Sequence, residues 1–503
     1  MGDDVVENKA GYKTAFKSTS LFGGVQFITI IISLARSKVV AIWLGPAGFG
    51  LLSLFNTVLN LIFSITNLGL ASSGVRDIAQ ANSTGDAILL SQTVKAVERW
   101  SFVLGIIGLL ITCFLSSLLS KWTFDNNCHV LSFVLLSVVI LFMSIYRGNY
   151  AIIQGTRHLS YLAKSSILGA ILSFLFSLPL FYFLREDGIV YSLIISAVVT
   201  FIISFYYKKK IKIRDVEQSF VESYSIGISA IKLGLMMSIS AISVCLVEYI
   251  VKIFIANLGG ITDVGFYQAG WVLNVSYLGL VFTAMATDYF PRLSLAVTDS
   301  RKVKSQVNEQ AEIAILILGP LIIGMILFLP LLIRILYSDA FLVIVPMTRW
   351  LLVGSLIKAG SWAISFVFLA KGDGKVYLFN ELGIKLFNLP CYLLFYYYFG
   401  LTGIGIAYIC NYLVYFAWVA IASYKKYKFK YKLVFWRLLI ITFLFSLLSC
   451  FIHYLAFNIV WNYIIGSICF CFSLLFSIYE LNKRLNILEM LSNLKKRINK
   501  DKR

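Results

Sequence analysis

Six basic residues interrupt otherwise apolar stretches of this chain: Arg36, Lys38, Lys252, Arg349, Lys358 and Lys385. A charge near the middle of a bilayer costs at least about 2.5 to 3.5 kcal/mol on insertion scales, so such residues usually face a protein interior or an aqueous cavity. Only Glu248, Glu381 and, nearer a segment end, Asp288 oppose them in comparable surroundings. A cavity lined this way is net positive. It suits an anion bearing phosphate groups, which arginine grips bidentately and lysine meets as a point charge.

Structural explanations compete with that chemistry at most positions. Arg36 and Lys38 lie in the outer third of a long apolar run, from which their stems can snorkel to headgroups. Lys252 follows Glu248, and Lys385 follows Glu381, at i,i+4, so each is also readable as a neutralised pair. Arg349 and Lys358 share one run that holds no acid, and Lys358 stands near its middle, where snorkelling explains it poorly. The aromatics Tyr267, Trp271, Tyr277, Trp350 and Trp362 accompany these runs. Their faces are platforms for sugar rings, although interfacial anchoring accounts for most aromatics in such a chain. No phosphate loop, Ser/His/Asp set or acid-rich metal motif is present. Cys128-His129 is the sole metal-like pair, with no second pair to complete a site, and the other cysteines lie inside apolar runs as small hydrophobes. These features predict a protein that is not an enzyme, with no metal and no cofactor.

The elements that carry these residues must be membrane helices. Of the 503 residues 59% are hydrophobic and 14% charged, with a mean hydropathy of +0.85. As a soluble domain this composition would expose too much apolar surface. Apolar runs of about 20 residues recur from end to end, near 16–43, 48–72, 99–120, 129–153, 160–183, 189–207, 229–257, 266–290, 311–337, 341–370, 376–398, 401–424, 434–456 and 460–480. That is an all-α polytopic membrane protein with about fourteen transmembrane helices. The segment Met1–Lys17 lacks a signal-peptide core, so the first span is expected to stay in the membrane. With a cytoplasmic N-terminus, most of the 44 basic residues fall in every second loop and in the tail, as the positive-inside rule requires. Both termini are then cytoplasmic, and much of the +20 net charge is topology, facing anionic lipid, with no nucleic-acid partner implied.

An internal repeat organises the chain. Lys38 stands six residues before Leu44-Gly45, and Lys252 six before Leu258-Gly259; Gly48-Phe49-Gly50 opens one span as Gly265-Phe266-Tyr267 opens another. The polar loop after the sixth span is the natural seam. Residues 1–207 read as an N-terminal six-helix lobe, 208–228 as a basic cytoplasmic linker and 229–424 as a C-terminal six-helix lobe. The remainder, 425–503, reads as an extra helix pair with a basic tail. Six spans per half give the halves one orientation, as in parallel-repeat transporters.

Several short motifs fall in a consistent order: Leu44-Gly45-Pro46-Ala47-Gly48-Phe49-Gly50, Leu68-Gly69-Leu70 running to Val75-Arg76, Gln154-Gly155, Val264-Gly265-Phe266-Tyr267 and Phe290-Pro291-Arg292-Leu293. In these the chain resembles the Wzx-type O-antigen and polysaccharide-repeat flippases of the multidrug/oligosaccharidyl-lipid/polysaccharide (MOP) superfamily. The resemblance covers most of both halves and fades after about Tyr424. It implies two pseudo-symmetric six-helix lobes in a V-shaped, MATE-like bundle. The implied activity moves an undecaprenyl-diphosphate-linked oligosaccharide, destined for O-antigen or a related lipopolysaccharide component, across the bacterial inner membrane by alternating access. It also implies a dependence on cavity arginines that maps to Arg36 and Arg349, and contact with headgroups or a cytoplasmic gate at Arg76 and Arg292. Glu248, Asp288 and Glu381 are candidate coupling carboxylates for H+ or Na+. Implied partners are the lipid-linked oligosaccharide, membrane lipids, and polysaccharide polymerase and chain-length proteins. The helix pair at 434–480 departs from twelve-span relatives and is shared with fourteen-span lipid II flippases. Two alternatives stand beside this reading: a multidrug/cation antiporter of the same superfamily, which would want acids where this chain has bases, and a non-transporting component of a glycan assembly complex.

Overall fold

The helices start and stop where the sequence punctuates them. In the computed structural model, which describes residues 24–214, 216–452 and 459–485, α1 spans Gly24–Trp43. It turns into α2 (Gly45–Thr66) through Gly45 at φ 68°, a conformation open to a residue without Cβ. Pro46 occupies the first turn of α2, where its missing N–H is no loss. The order continues α3 (Leu70–Ser83), α4 (Ala87–Phe114), α5 (Ser116–Phe124), α6 (Val130–Gly155), α7 (Leu159–Leu184), α8 (Gly188–Lys209) and α9 (Phe220–Val272). After a π turn at Leu273–Tyr277 come α10 (Leu278–Leu295), α11 (Ser300–Leu336) and a 3-10 turn at Asp339–Ile344. Then follow α12 (Val345–Ala370), α13 (Gly374–Tyr427), α14 (Leu433–Ile452) and α15 (Ile459–Leu485).

Among the described residues, twelve continuous helical stretches are long and apolar enough to cross a membrane. Two of them, Ser238–Leu295 and Gly374–Tyr427, are each a pair of spans joined at a non-helical glycine, Gly260 and Gly400. Fourteen spans result, and no strand occurs among the described residues. Some boundaries move. The third span starts at Ala87, well before its long apolar stretch, because the Asp86 carboxylate accepts the N–H groups of Ile88 and Leu89 at 2.8 and 3.1 Å and caps a helix whose second to fourth turns are polar in part. The second span ends at Thr66, where Leu68 and Gly69 turn left-handed and redirect the chain into the separate amphipathic α3. The Met1–Lys17 segment and the basic tail beyond residue 485 lie outside the described residues.

The backbone repeats itself with fixed spacing. Left-handed φ values occur at Gly45, Arg157 and Arg185, and again at Gly260, Gly372 and Gly400; 260 − 45, 372 − 157 and 400 − 185 are all 215. At one corner His158 N–H donates to Ile153 and Arg157 N–H to Gln154; at its counterpart Asp373 N–H donates to Phe368 and Gly372 N–H to Leu369. α6 and α12 share this spacing at both ends. Gly50 and Gly265 form a reciprocal close approach: a Cβ on Gly50 would strike the carbonyl of Ile261, and one on Gly265 the carbonyl of Pro46. The register differs by one residue from the Leu44-Gly45/Leu258-Gly259 match read in the sequence, because the turning glycine is Gly260 and not Gly259. Lys252 therefore corresponds to Ser37, between Arg36 and Lys38.

Two compact units emerge. One runs to Gly265 and takes in Leu336–Ala340, and the other holds Phe266–Ile335 and the chain from Phe341 onward. Lipid gives helices no hydrophobic reason to associate, so close packing and interhelical hydrogen bonds must do it. In the first unit α4 and α6 approach through small residues. Gly148 lies against the Ser101 side chain, Gly105 against Leu141 and Ser144, and the Ser144 hydroxyl donates to the Ser101 carbonyl at 2.7 Å. In the second unit glycines of α12 instead seat aromatic rings, Gly354 under Tyr408 and Gly360 under Phe416.

Candidate functional site

The buried charges of the first unit sit on α1 and α9. Lys252 is 2% exposed. Its ammonium donates to Glu248 Oε1 at 2.6 Å, one turn back on α9, and to Thr57 Oγ1 of α2 at 2.7 Å. The Glu248 side chain is itself 36% exposed, so the pair joins an interior cation to a carboxylate at the rim. Arg36 is different. Its guanidinium lies 5.9 Å from the centre of the Phe181 ring, and its buried Nε and Nη2 have no hydrogen-bond partner. Buried donors are nearly always satisfied, so this guanidinium is disposed to receive an anion. Lys38 is half-buried on the same helix.

In the second unit, α13 folds back on itself at Gly400 and encloses a cavity of about 90 Å³ lined by Glu381, Ile384, Lys385, Asn388, Asn411, Tyr412 and Tyr415. The Tyr415 hydroxyl donates to Glu381 Oε1 at 2.6 Å. Lys385 has Glu381 and Lys358 as charged neighbours. Lys358 reaches across from α12, its ammonium 5.0 Å from the centre of the Phe282 ring and 5.8 Å from that of Tyr412, a cation–π environment. The buried Asn388 Oδ1 has no hydrogen-bond partner. An aromatic lane leads to this cavity. Tyr267 stacks on Trp271 at 5.6 Å, Trp271 meets Tyr408 edge-on at 5.7 Å, Tyr408 meets Tyr412 at 4.7 Å, and Tyr412 lies 6.4 Å from Tyr415.

Thus the structure brings together Lys358, Lys385 and Glu381, and separately Lys252 and Glu248. It places Arg349 elsewhere: 7% exposed on α12, with Cys450 of α14 as a neighbour, outside the cavity lining. Trp350 likewise faces Phe451 of α14 at 6.3 Å. Trp362 packs on Phe282 at 5.4 Å, and the buried Tyr277 hydroxyl has no hydrogen-bond partner. Asp288 pairs with Arg292 at 2.8 Å on the exposed face of α10, and Arg292 also donates to Gln310. Arg76 pairs with the adjacent Asp77 at 2.6 Å. Three contributors went unnoticed in the sequence. Thr57 carries no signal there. Tyr408, Tyr412 and Tyr415 do, since their spacing of four and three marks one helix face. The third is a charge network around two largely buried glutamates: Arg484 pairs with Glu312 of α11 at 2.9 Å and with Glu480 at 2.6 Å, and Glu480 also accepts from Arg437 of α14 at 2.9 Å. This network ties the last helix pair to α11.

Comparison with known proteins agrees with this architecture. Residues 39–346 match the family model described as polysaccharide biosynthesis protein. A candidate O-antigen transporter of Shigella flexneri is 24% identical over 324 residues, 64% of this chain and 75% of that protein. The lipid III flippase of Escherichia coli (strain K12) is 22% identical over 406 residues, 78% and 93% of the two chains. In fold, the chain superposes on the lipid II flippase MurJ, inward closed, with a TM-score of 0.71 at 15% identity, covering 92% of this chain and 99% of that one. An inward-facing MATE family transporter of the MOP superfamily gives 0.65 at 18% identity, covering 78% and 94%. These relatives are transporters and flippases, not enzymes, and together with the many apolar helices they indicate a multi-pass membrane protein, whose fold is shared with the MOP-superfamily transporter and with MurJ. The chain belongs to the polysaccharide biosynthesis protein family.

Proposed function

We propose that the protein flips an undecaprenyl-diphosphate-linked oligosaccharide, the repeat unit of O-antigen or a related polysaccharide, across the bacterial inner membrane by alternating access, with both termini cytoplasmic. One observation carries the reading: the membrane interior holds an excess of cations that the fold does not need. At the positions 215 residues before Arg349, Lys358, Glu381 and Lys385 stand Val134, Met143, Ser166 and Ala170. The same backbone is built there without charge, so these cations are retained for something other than architecture. A diphosphate has the complementary charge, and the Tyr267–Tyr415 lane offers ring faces to sugars. The relatives' names point the same way, to an O-antigen transporter and a lipid III flippase. Arg36, with unsatisfied buried N–H groups, is the best phosphate ligand of the first unit. Lys38, Lys252, Arg349, Lys358 and Lys385 complete the anion-attracting set, and Arg76 and Arg292 remain gate candidates. Among the carboxylates, Glu381 is best placed for coupling to H+ or Na+, since it lies in a polar cavity beside a lysine. A polymerase and chain-length proteins would take the product onward.

The test is leaflet accessibility of a labelled undecaprenyl-diphosphate oligosaccharide in vesicles, comparing wild type with Arg36→Ala and with Lys358→Met plus Lys385→Ala. Movement by wild type and loss in folded variants is expected. If wild type leaves the lipid in place and expels cationic dyes, the antiporter reading replaces this one.

A further inference from the structure

A second charged pocket lies in the first unit, at the end that carries the basic loops and apart from the charges described above. It has a volume of about 370 Å³ and is lined by Ser91, Val94, Lys95, Glu98, Lys208, Lys209, Ile211, Ile213 and Arg214. That is within the range of small-ligand sites. One wall is α4. The other is the end of α8 and the strap that follows it, and α4 pins the strap with side chains that donate to its carbonyls. Ser91 donates to Arg214, Lys95 to Val216 at 2.7 Å, and Arg99 to Gln218 and Ser219, both at 2.8 Å. The pocket is thus held open by fixed backbone. Its floor is apolar, with Val94 and Ile213 packed in one cluster with Ile78, Val97 and Ile152.

Among the described residues, four cations, Lys95, Lys208, Lys209 and Arg214, line the pocket against one carboxylate, Glu98, which pairs with Lys208 at 2.7 Å. A row of snorkelling lysines explains charge at this depth but not a walled recess with an apolar floor. Nor does the fold demand the charges, because the positions corresponding to Lys208 and Lys209 in the later repeat are Ser423 and Tyr424. We propose that this pocket binds a phosphate-bearing anion, its phosphate held by Lys209 and Arg214 and the body of the ligand lying on Val94, Ile211 and Ile213. The phosphate is that of an anionic lipid headgroup or of a soluble phosphate compound. The site is separate from the transport pathway proposed above and does not rest on that reading.

Binding is measured by calorimetry on the purified full-length protein with three probes: short-chain phosphatidylglycerol, short-chain phosphatidylcholine and inorganic phosphate. Wild type should bind phosphatidylglycerol or phosphate in preference to phosphatidylcholine. Lys209→Gln with Arg214→Gln should weaken that binding by about tenfold or more, given the attraction of roughly 1 kcal/mol per basic residue near anionic headgroups. Neither side chain pins the strap, and thermal unfolding checks that the double variant is intact. Glu98→Gln removes the lining carboxylate that pairs with Lys208 and should tighten binding. Phosphatidylglycerol binding without phosphate binding identifies the lipid source, and phosphate binding alone identifies the soluble one; both support the site. Unchanged binding in the Lys209/Arg214 variant overturns the proposal. So does an equal loss in Lys425→Gln with Lys430→Gln, which would mean that diffuse surface charge is responsible.

Discussion

The two copies of the repeat share a backbone and differ in what they bury. In the first unit an interior lysine is locked by a carboxylate and a hydroxyl, Lys252 with Glu248 and Thr57. In the second, Lys358 is held over aromatic rings, and Glu381 takes a tyrosine hydroxyl. The positions matching Glu248 and Lys252 in the earlier copy are Ser33 and Ser37. Every one of these charges therefore belongs to the later copy, and the earlier copy builds the same backbone without them. The repeat supplies the frame, and the departures from it supply the chemistry.

That contrast can be broken at its strongest point. Glu248→Gln leaves Lys252 buried without a counter-charge. Breaking a buried pair costs about 3–5 kcal/mol, and the lower end applies because Glu248 is 36% exposed. Glu381→Gln keeps an acceptor for Tyr415 and should cost no more than about 1.5 kcal/mol. Thermal unfolding of the detergent-solubilised variants measures both, and equal costs would abolish the distinction between a locked and an open charge. A smaller effect is expected where the copies differ in backbone chemistry. Arg157 holds φ 60° where its counterpart is Gly372 at φ 72°. Arg157→Gly should stabilise, and Gly372→Ala destabilise, each by about 1 kcal/mol; unfolding shifts of the same sign would argue against equivalent corners. At the reciprocal glycine contact, Gly50→Ala must displace the Ile261 carbonyl and should cost about 1–3 kcal/mol, whereas Gly279→Ala, with nothing within 4 Å of its Cβ position, should be close to neutral.

The smallest effect belongs to the Asp373 corner. Hydrogen bonds from Lys426 at 2.6 Å and from Tyr427 hold its carboxyl below the usual carboxylate range. A depressed folded value means that its stabilisation is fully present above the unfolded carboxylate pKa and fades as pH falls through the folded one. Asp373→Asn should therefore lower the unfolding temperature slightly at neutral pH, by less than about 1 kcal/mol for a largely solvated pair, and the difference should vanish in acid. A difference that persists at low pH would place the effect in packing.

The sequence carried the spans well, because a bilayer demands long apolar runs and the loop charges report their direction. It hid Gly260 as the turning residue, since Leu258-Gly259-Gly260 offers two glycines and only the backbone decides between them. Among site residues, Lys358, Lys385 and Glu381 were legible as charges in apolar runs, and the fold-back at Gly400 then sets Asn411, Tyr412 and Tyr415 beside Glu381 and Lys385. Arg349 looked identical by composition but faces α14, because helical phase, which the uniformly apolar α12 does not betray, directs it there. Glu312, Glu480 and Arg484 were passed over because they stand near segment ends, where charge is ordinary.

The Glu312–Arg484–Glu480–Arg437 network has an evolutionary consequence. Two arginines and two glutamates balance, so the charges of this network cancel only when Glu312 of α11 is counted with the α14–α15 pair. A lineage that lost the pair by a stop codon would strand Glu312, 8% exposed, without its arginine. The extra helices are therefore easier to retain than to discard, and their loss would have to follow, not precede, a neutral substitution at Glu312.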